Sequence, residues 1–240
     1  MRLCMADIRT PWRTSGATGL RRDPVNDRSA VDQSLRLHLI RHGETAWSLS
    51  GQHTGRTDLA LTAQGEAQAC SLAPLLDAIH FDAVFTSPAL RARRTWQLAG
   101  PALPAAVVEP DLAEWDYGQY EGKTSSEIRR DRPGWNCYRD GCPGGESPGD
   151  VSTRVDRLIA RLGRLRGNVA LFSHGELGCC LAARWTGLPV EQGEHLQLGT
   201  ASLSILAFNP AHAGLAVIAL WNLSARQADA SAGQGAVPSS

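Results

Sequence analysis

The sequence predicts an α/β fold, a sheet with helices packed against both faces, and three observations predict it. Short alternating or β-rich runs are separated by longer runs at helical spacing, the pattern of strands joined by crossover helices. The 240 residues are 42% hydrophobic and 20% charged, enough for a buried core and unlike a disordered chain. No apolar run approaches the roughly 18 residues of a membrane helix, so no membrane partner is expected.

The elements follow in chain order. Residues 1–34 have no sustained periodicity and no apolar signal segment, and their Asp residues argue against an organelle presequence. They read as a disordered extension or as a start codon set too early. Residues 35–40 alternate and read as a strand. Thr62 opens a helical pattern that runs to 79, with Pro74 as a kink. Residues 82–85 form a short strand that ends at Thr86-Ser87-Pro88. A helix follows over 89–99, then a weak strand over 106–109. The stretch 110–149 breaks the rhythm. It is rich in Gly, Pro, Trp and Tyr, and long irregular insertions often carry function. Its aromatic residues read either as a wall or lid over a pocket or as plain packing. Residues 151–165 place Val155, Leu158, Ile159 and Leu162 on one helical face. Residues 168–172 form a strand, and a helix over 176–186 is closed by Gly187 and Pro189. The runs 202–208 and 215–221 are β-rich and suit a closing hairpin. Residues 223–240 read as a flexible tail. The folded domain is therefore expected over 35–222.

Charge and cysteine usage narrow the function classes. Lys plus Arg number 24 and Asp plus Glu number 24, so the net charge is zero. A nucleic-acid protein would show a basic excess, so no nucleic-acid partner is expected. None of the six cysteines forms a CxxC pair. Reduced thiols in the cytoplasm are the simplest reading, although a Cys137–Cys142 disulfide is conceivable.

The chemistry sits at two matching strand ends. Arg41-His42-Gly43-Glu44 follows one apolar strand and Ser173-His174-Gly175-Glu176 follows another. In open α/β sheets ligands bind beyond the carboxyl ends of strands, so two such histidines can face one site. The glycines would let the backbone turn sharply and let a ligand approach closely. There is no HExxH, no His-x-His and no Asp-rich segment, so no metal is expected. Arginines attend the pair instead: Arg41 beside His42, and Arg91 just after Thr86-Ser87-Pro88. Guanidinium binds phosphate oxygens, which points to phosphate chemistry. A neutral imidazole can attack phosphorus, and the leaving oxygen then needs a proton from a nearby carboxylic acid. Glu114, flanked by aromatic residues that would raise its pKa, is the candidate, with Asp116 as the local rival. Gly122-Lys123-Thr124 ends like a P-loop, but Tyr117 stands where the first glycine should be.

Arg41-His42-Gly43-Glu44-Thr45, Thr86-Ser87-Pro88 with Arg91, Glu114 with Tyr117-Gly118, and Ser173-His174-Gly175 together resemble the histidine phosphatase superfamily. That resemblance implies a three-layer α/β sandwich with a mostly parallel six-stranded sheet, and no metal or other cofactor. It implies His42 as the nucleophile and Glu114 as the proton donor. It implies Arg41, Arg91 and His174 as ligands of the phosphoryl group, with Ser48, Thr54, Gly55 and Tyr117 also around the substrate. Segments 47–58, 90–93, 114–118 and 139–146 resemble a subgroup of small acid phosphatases and sedoheptulose-1,7-bisphosphatases. This implies a small phosphorylated partner, a sugar mono- or bisphosphate. Two positions depart from the pattern. Ser48 stands where many relatives have Asn, and Glu176 stands where the subgroup often has His. An acid at 176 repels anions if it points inward, or caps the following helix if it does not.

Three activities compete: hydrolysis of a phosphate monoester, phosphoryl transfer by a mutase, and binding of a phospho-ligand without turnover. Related mutases carry longer segments after the Tyr117 position, so the compact core favours hydrolysis. The presence of Arg41, His42, Arg91, Glu114 and His174 together speaks against a silent binding module. Self-association to a homo-oligomer is left open by the sequence.

Overall fold

The computed structural model describes residues 34–100 and 103–225. The expected extension 1–34 and tail 223–240 lie outside the described residues, save residues 34 and 223–225. Six strands are β1 (Arg36–Arg41), β2 (Ala83–Thr86), β3 (Val107–Val108), β4 (Asn168–Ser173), β5 (Leu203–Phe208) and β6 (Ala216–Leu223). They form one sheet in the order β3-β2-β4-β1-β5-β6. The first four strands in that order pair in parallel, whereas β5 runs antiparallel to both β1 and β6. The sheet is therefore mixed, and its antiparallel part is the hairpin expected at the end of the core.

Period-two alternation in the strands divides the core between two faces. Leu37, Leu39, Val169 and Leu171 pack on one side with Val155 and Leu158 of α7 (Pro148–Leu162) and Leu181 of α8 (Gly175–Trp185). Ile40, Ala170 and Phe172 pack on the other with Leu72, Leu76 and Ala99. The last three come from the region of α2 (Ala63–Cys70), α3 (Ala73–Leu76) and α4 (Leu90–Ala99). Each fully buried Leu or Phe contributes about 1.5–3 kcal/mol, which fixes the register of the central strands. Helix α7 starts at a capping box of Ser147 and Asp150, with Pro148 in its first turn.

The expected kinked helix over 62–79 is two helices. Pro74 lies in the first turn of α3, where its missing N–H breaks no helical bond, and the chain turns at Ser71-Leu72 instead of bending through. The insertion is more ordered than its composition suggests. It holds 3-10 turns at Pro110–Leu112 and Gly118–Tyr120 and helices α5 (Ser125–Asp131) and α6 (Cys137–Asp140). A short helix α1 (Ala46–Ser50) also forms, where Thr45 and Ser48 make a reciprocal cap. Of the insertion's aromatic residues, Trp115, Tyr120 and Trp135 pack in the core, whereas Tyr117 is buried and also forms part of a cavity wall. The cysteines of the described residues are free thiols, Cys137 and Cys142 included. No described helix is long and apolar enough to cross a membrane.

Candidate active site

Strands β1 and β4 are neighbours with Arg41 in register with Ser173, so the next residue of each, His42 and His174, leaves the sheet at one place. The His42 amide donates to the Ser173 carbonyl at 3.0 Å, and the two imidazoles stand 5.2 Å apart, edge to face. The end of β2 lies on the other side of β4, with Thr86 in register with Phe172. Ser87, just beyond it, has its hydroxyl 2.7 Å from His174 Nε2.

The hydrogen bond of His42 fixes its tautomer. Nδ1 lies 2.7 Å from the Gly43 carbonyl, which can only accept. Nδ1 therefore carries the hydrogen and Nε2 the lone pair. Burial pushes the His42 pKa well below the ordinary imidazole value, and the charges of Arg41 and Arg91 push it the same way. His174 is lowered for the same reasons, burial first and Arg91 next. Both rings are neutral in the neutral pH range. The glycine after each histidine is not there for a left-handed turn, since neither Gly43 nor Gly175 has a positive φ. A Cβ on Gly43 would lie 2.3 Å from the Gly65 carbonyl oxygen, and one on Gly175 would lie 3.2 Å from Arg41 Cζ. Here glycine makes room for the protein's own backbone and for a guanidinium.

Three buried side-chain nitrogens at this point have no hydrogen-bond partner among the described residues: Arg41 Nε, Arg91 Nε and His174 Nδ1. The only other buried side-chain atom of this kind among them is His38 Nδ1, on β1. Arg91 is fully buried in α4. Its Nη1 donates to the Thr57 carbonyl and its Nη2 to the carbonyls of Thr54 and Gly55, at 3.0–3.1 Å. Five N–H groups and three carbonyls leave Nε–H and one Nη1–H unused. Neither Arg41 nor Arg91 forms a salt bridge among the described residues.

Glu114 comes from the insertion and meets the first turn of α8. Its Oε1 accepts from the amides of Trp115 and Leu177, at 2.9 and 2.8 Å, and its Oε2 from the amide of Glu176, at 3.1 Å. It thus caps α8 from outside, because His174, the N-cap residue, makes no side-chain cap. Burial raises the Glu114 pKa far above the ordinary carboxyl range, and the neighbouring Glu176 carboxyl raises it further. The insertion is pinned by Arg154 of α7. This guanidinium grips both oxygens of Glu146 at 2.7 Å and donates to the carbonyls of Asp111 and Ala113. Glu146 in turn accepts from the Asp116 amide at 2.9 Å.

Two cavities meet at Glu114. One, of about 270 Å³, is lined by Arg41, His42, Ser48, Thr54, Tyr117 and Glu176, among others. The other, of about 440 Å³, is lined by Ser87 and Gly55 and by charged residues that include Arg56, Asp116 and Arg154. Of the residues expected around a substrate, His42, Arg41, Glu114, Ser48, Thr54 and Tyr117 line the first cavity, while His174 and Arg91 are buried beside His42. The Ser48 hydroxyl donates to the Thr45 carbonyl at 3.1 Å, so its hydrogen is already used in the helix cap. Gly55 lies in the second cavity, and its amide donates to Glu121 at 2.8 Å, so that N–H is not free for a phosphate. Asp116, the rival acid, pairs with Arg56 at 2.8 Å. Glu176 lines the cavity from the first turn of α8, while Glu114 takes the α8 amides, so of its two expected positions the inward one is adopted. Ser87, Arg154 and Glu146 were not singled out as site residues. Ser87 carried a signal in its position directly after a strand, and Glu146 in the Gly145-Glu146 pair of the subgroup pattern. Arg154 carried none, being one arginine among many on an amphipathic helix.

An acid phosphatase of Mycobacterium tuberculosis is 42% identical over 189 residues, covering 77% of this chain and 92% of the relative. The sedoheptulose 1,7-bisphosphatase of Saccharomyces cerevisiae is 37% identical over 189 residues, covering 65% of this chain and 69% of the relative. The solved structure of the product of a Mycobacterium tuberculosis open reading frame superposes with a TM-score of 0.74 at 38% identity, covering 79% of this chain and 98% of that one. The family model of the histidine phosphatase superfamily, branch 1, matches residues 37–223. The chain belongs to the histidine phosphatase superfamily and is a phosphoric monoester hydrolase.

Proposed function

We propose that residues 35–222 form one catalytic domain that hydrolyses phosphate monoesters of small metabolites, sugar mono- and bisphosphates among them, through a phosphohistidine on His42 and without a metal. The observation that carries this reading is Arg91. It is a fully buried guanidinium, hydrogen-bonded to carbonyls and salt-bridged to no carboxylate among the described residues. The carboxylates of Glu114, Asp58 and Glu121 act on it without a direct ion pair, and burial still lowers its pKa, so a phosphoryl group beside His42 would add the contact counter-charge that it lacks.

The chemistry follows from the atoms. The Nε2 lone pair of His42 attacks phosphorus while the bond from phosphorus to the leaving oxygen breaks, its electron pair going to that oxygen. Arg41, Arg91 and His174 donate to the phosphoryl oxygens as charge builds on them. Glu114 gives its proton to the leaving oxygen. That proton belongs on Oε2, which accepts one amide hydrogen, at 3.1 Å, where Oε1 accepts two shorter ones. The resulting carboxylate then takes a proton from water as the water oxygen attacks phosphorus, releasing phosphate and restoring His42. Ser48, Thr54 and Tyr117 border the space for the rest of the substrate, and Gly55 contributes its carbonyl to the seat of Arg91.

The test is phosphate release from sugar mono- and bisphosphates, 3-phosphoglycerate and an aryl phosphate, with a chelator present. Release is expected from esters in this panel and unchanged by the chelator. Isomerisation of 3-phosphoglycerate without phosphate release would make the chain a mutase, and loss of activity on chelation would contradict a metal-free site.

A further inference from the structure

Resting on the phosphatase reading above, we propose that Glu176 narrows that substrate range: the site favours monophosphate esters whose remaining part is uncharged and hydroxyl-bearing, or cationic, and turns over bisphosphates and other esters with a second anion there more slowly. Glu176 lines the same cavity as His42, on the first turn of α8. Among the described residues no Arg, Lys or His lies within salt-bridge distance of its carboxylate, and its nearest ionisable partner is another carboxyl, Glu114.

Among the described residues none of the other charges on this side pairs with it. Arg41 is the cation of the cavity, placed next to the nucleophile, with one nitrogen on the Leu198 carbonyl. His53 lies in the same wall, stacked on Tyr117 at 4.5 Å and within 3.0 Å of the Ser125 hydroxyl. Burial lowers its pKa by more than the Glu176 carboxylate raises it, and the charge of Arg129 lowers it further, so it enters as a neutral ring. In the adjoining cavity Arg56 pairs with Asp116 at 2.8 Å and Arg154 with Glu146 at 2.7 Å, and Asp58 adds a further acid. A second phosphate or a carboxylate on the substrate would therefore meet an acidic wall whose cations are already paired. Hydroxyl groups would donate to the same carboxylate, and an ammonium would pair with it.

A unit charge several ångströms from a carboxylate, in surroundings of intermediate dielectric, changes kcat/KM by roughly ten- to a hundredfold. The experiment compares probes of similar size that differ in charge: glycerol 1-phosphate, 3-phosphoglycerate and phosphoethanolamine, with an aryl phosphate as reference. The expected order has 3-phosphoglycerate at least about tenfold below glycerol 1-phosphate, with phosphoethanolamine not disfavoured. In Glu176→Gln that ratio should fall most of the way to one, and in Glu176→His it should fall further or invert. A wild-type preference for 3-phosphoglycerate, or a ratio that neither variant moves, would overturn the proposal while leaving the phosphatase reading intact. Absence of hydrolysis on every probe, the aryl phosphate included, would instead remove the phosphatase reading and this proposal with it.

Discussion

His42-Gly43-Glu44 and His174-Gly175-Glu176 are the same tripeptide at the ends of two paired parallel strands, yet they are built for different work. After Gly43 the chain continues through Glu44 to the Thr45 cap of α1, and the Gly43 carbonyl turns back onto its own histidine. That leaves His42 with a free lone pair on Nε2. After His174 the chain enters α8 at once, and the ring is held through Nε2 by Ser87, leaving Nδ1 without a partner. The glutamates diverge as well. Glu44 turns away and accepts from the Thr62 hydroxyl at 2.7 Å, whereas Glu176 enters the cavity. On the proposed function, one motif serves as nucleophile in one place and as phosphoryl ligand and selective wall in the other. The backbone that follows each histidine makes the difference.

Substitutions at the two copies should break this comparison unequally. His42→Ala should reduce phosphate release at least about a thousandfold on every substrate, since no other group replaces the nucleophile. His174→Ala should cost about a hundredfold, the loss of one donor to the transition state, with residual turnover still passing through His42. Steady-state rates on an aryl phosphate measure both, and equal losses would erase the proposed division of labour. Glu114→Gln should slow an alkyl phosphate by roughly 10²–10⁴ but an aryl phosphate much less, because only the alkoxide needs the proton. At the glutamates, Glu44→Gln should leave the glycerol 1-phosphate to 3-phosphoglycerate ratio unmoved.

The pH dependence sharpens the same account. His42 has a lowered pKa, so the nucleophile stays neutral well below pH 6.5 and activity persists on the acid side. Glu114 has a raised pKa, so it stays protonated through neutrality and loses its proton only as pH rises through that raised value. The ratio of alkyl to aryl phosphate rates should therefore fall on the alkaline side, and a ratio flat with pH would count against Glu114 as the acid. Stability has both signs. Below pH 6.5 the unfolded chain takes up protons that native His42 and His174 refuse, so stability falls with acid. Glu114 works the other way, since ionising it is harder in the folded state, and its contribution is lost as pH rises from the ordinary carboxyl value of 4.5. The smallest effect on chemistry and the largest on folding is expected at Arg154. Arg154→Met leaves Glu146 and the carbonyls of Asp111 and Ala113 without their donor, at a cost of about 2–4 kcal/mol in urea unfolding.

Much of this arrangement was legible in the sequence because it depends on strand ends. A residue just after an apolar strand has its position fixed by the register, so His42, His174, Arg91 and the order of helices and strands could be read locally. Glu114 was reached by chemical need, an acid among aromatic residues, and by resemblance. What could not be read lies in long-range pairing. Nothing local says that Ser87 meets His174, that Arg154 grips Glu146, or that Glu114 caps a helix sixty residues on. The helix expected over 62–79 failed for a local reason, since Pro74 was read as a kink although a first-turn position suits it better. The exclusive use of the Gly55 amide and the Ser48 hydroxyl by the protein itself could appear only with the fold in hand.

The most direct test of the central claim is to locate the phosphoryl group on the enzyme. Rapid alkaline quench during turnover of an aryl phosphate, followed by mass spectrometry of the peptides, separates the segment containing His42 from that containing His174. The account predicts a phosphate mass on the His42 peptide that rises in a burst and vanishes in His42→Ala. A phosphate on His174, or a burst that survives His42→Ala, would contradict it.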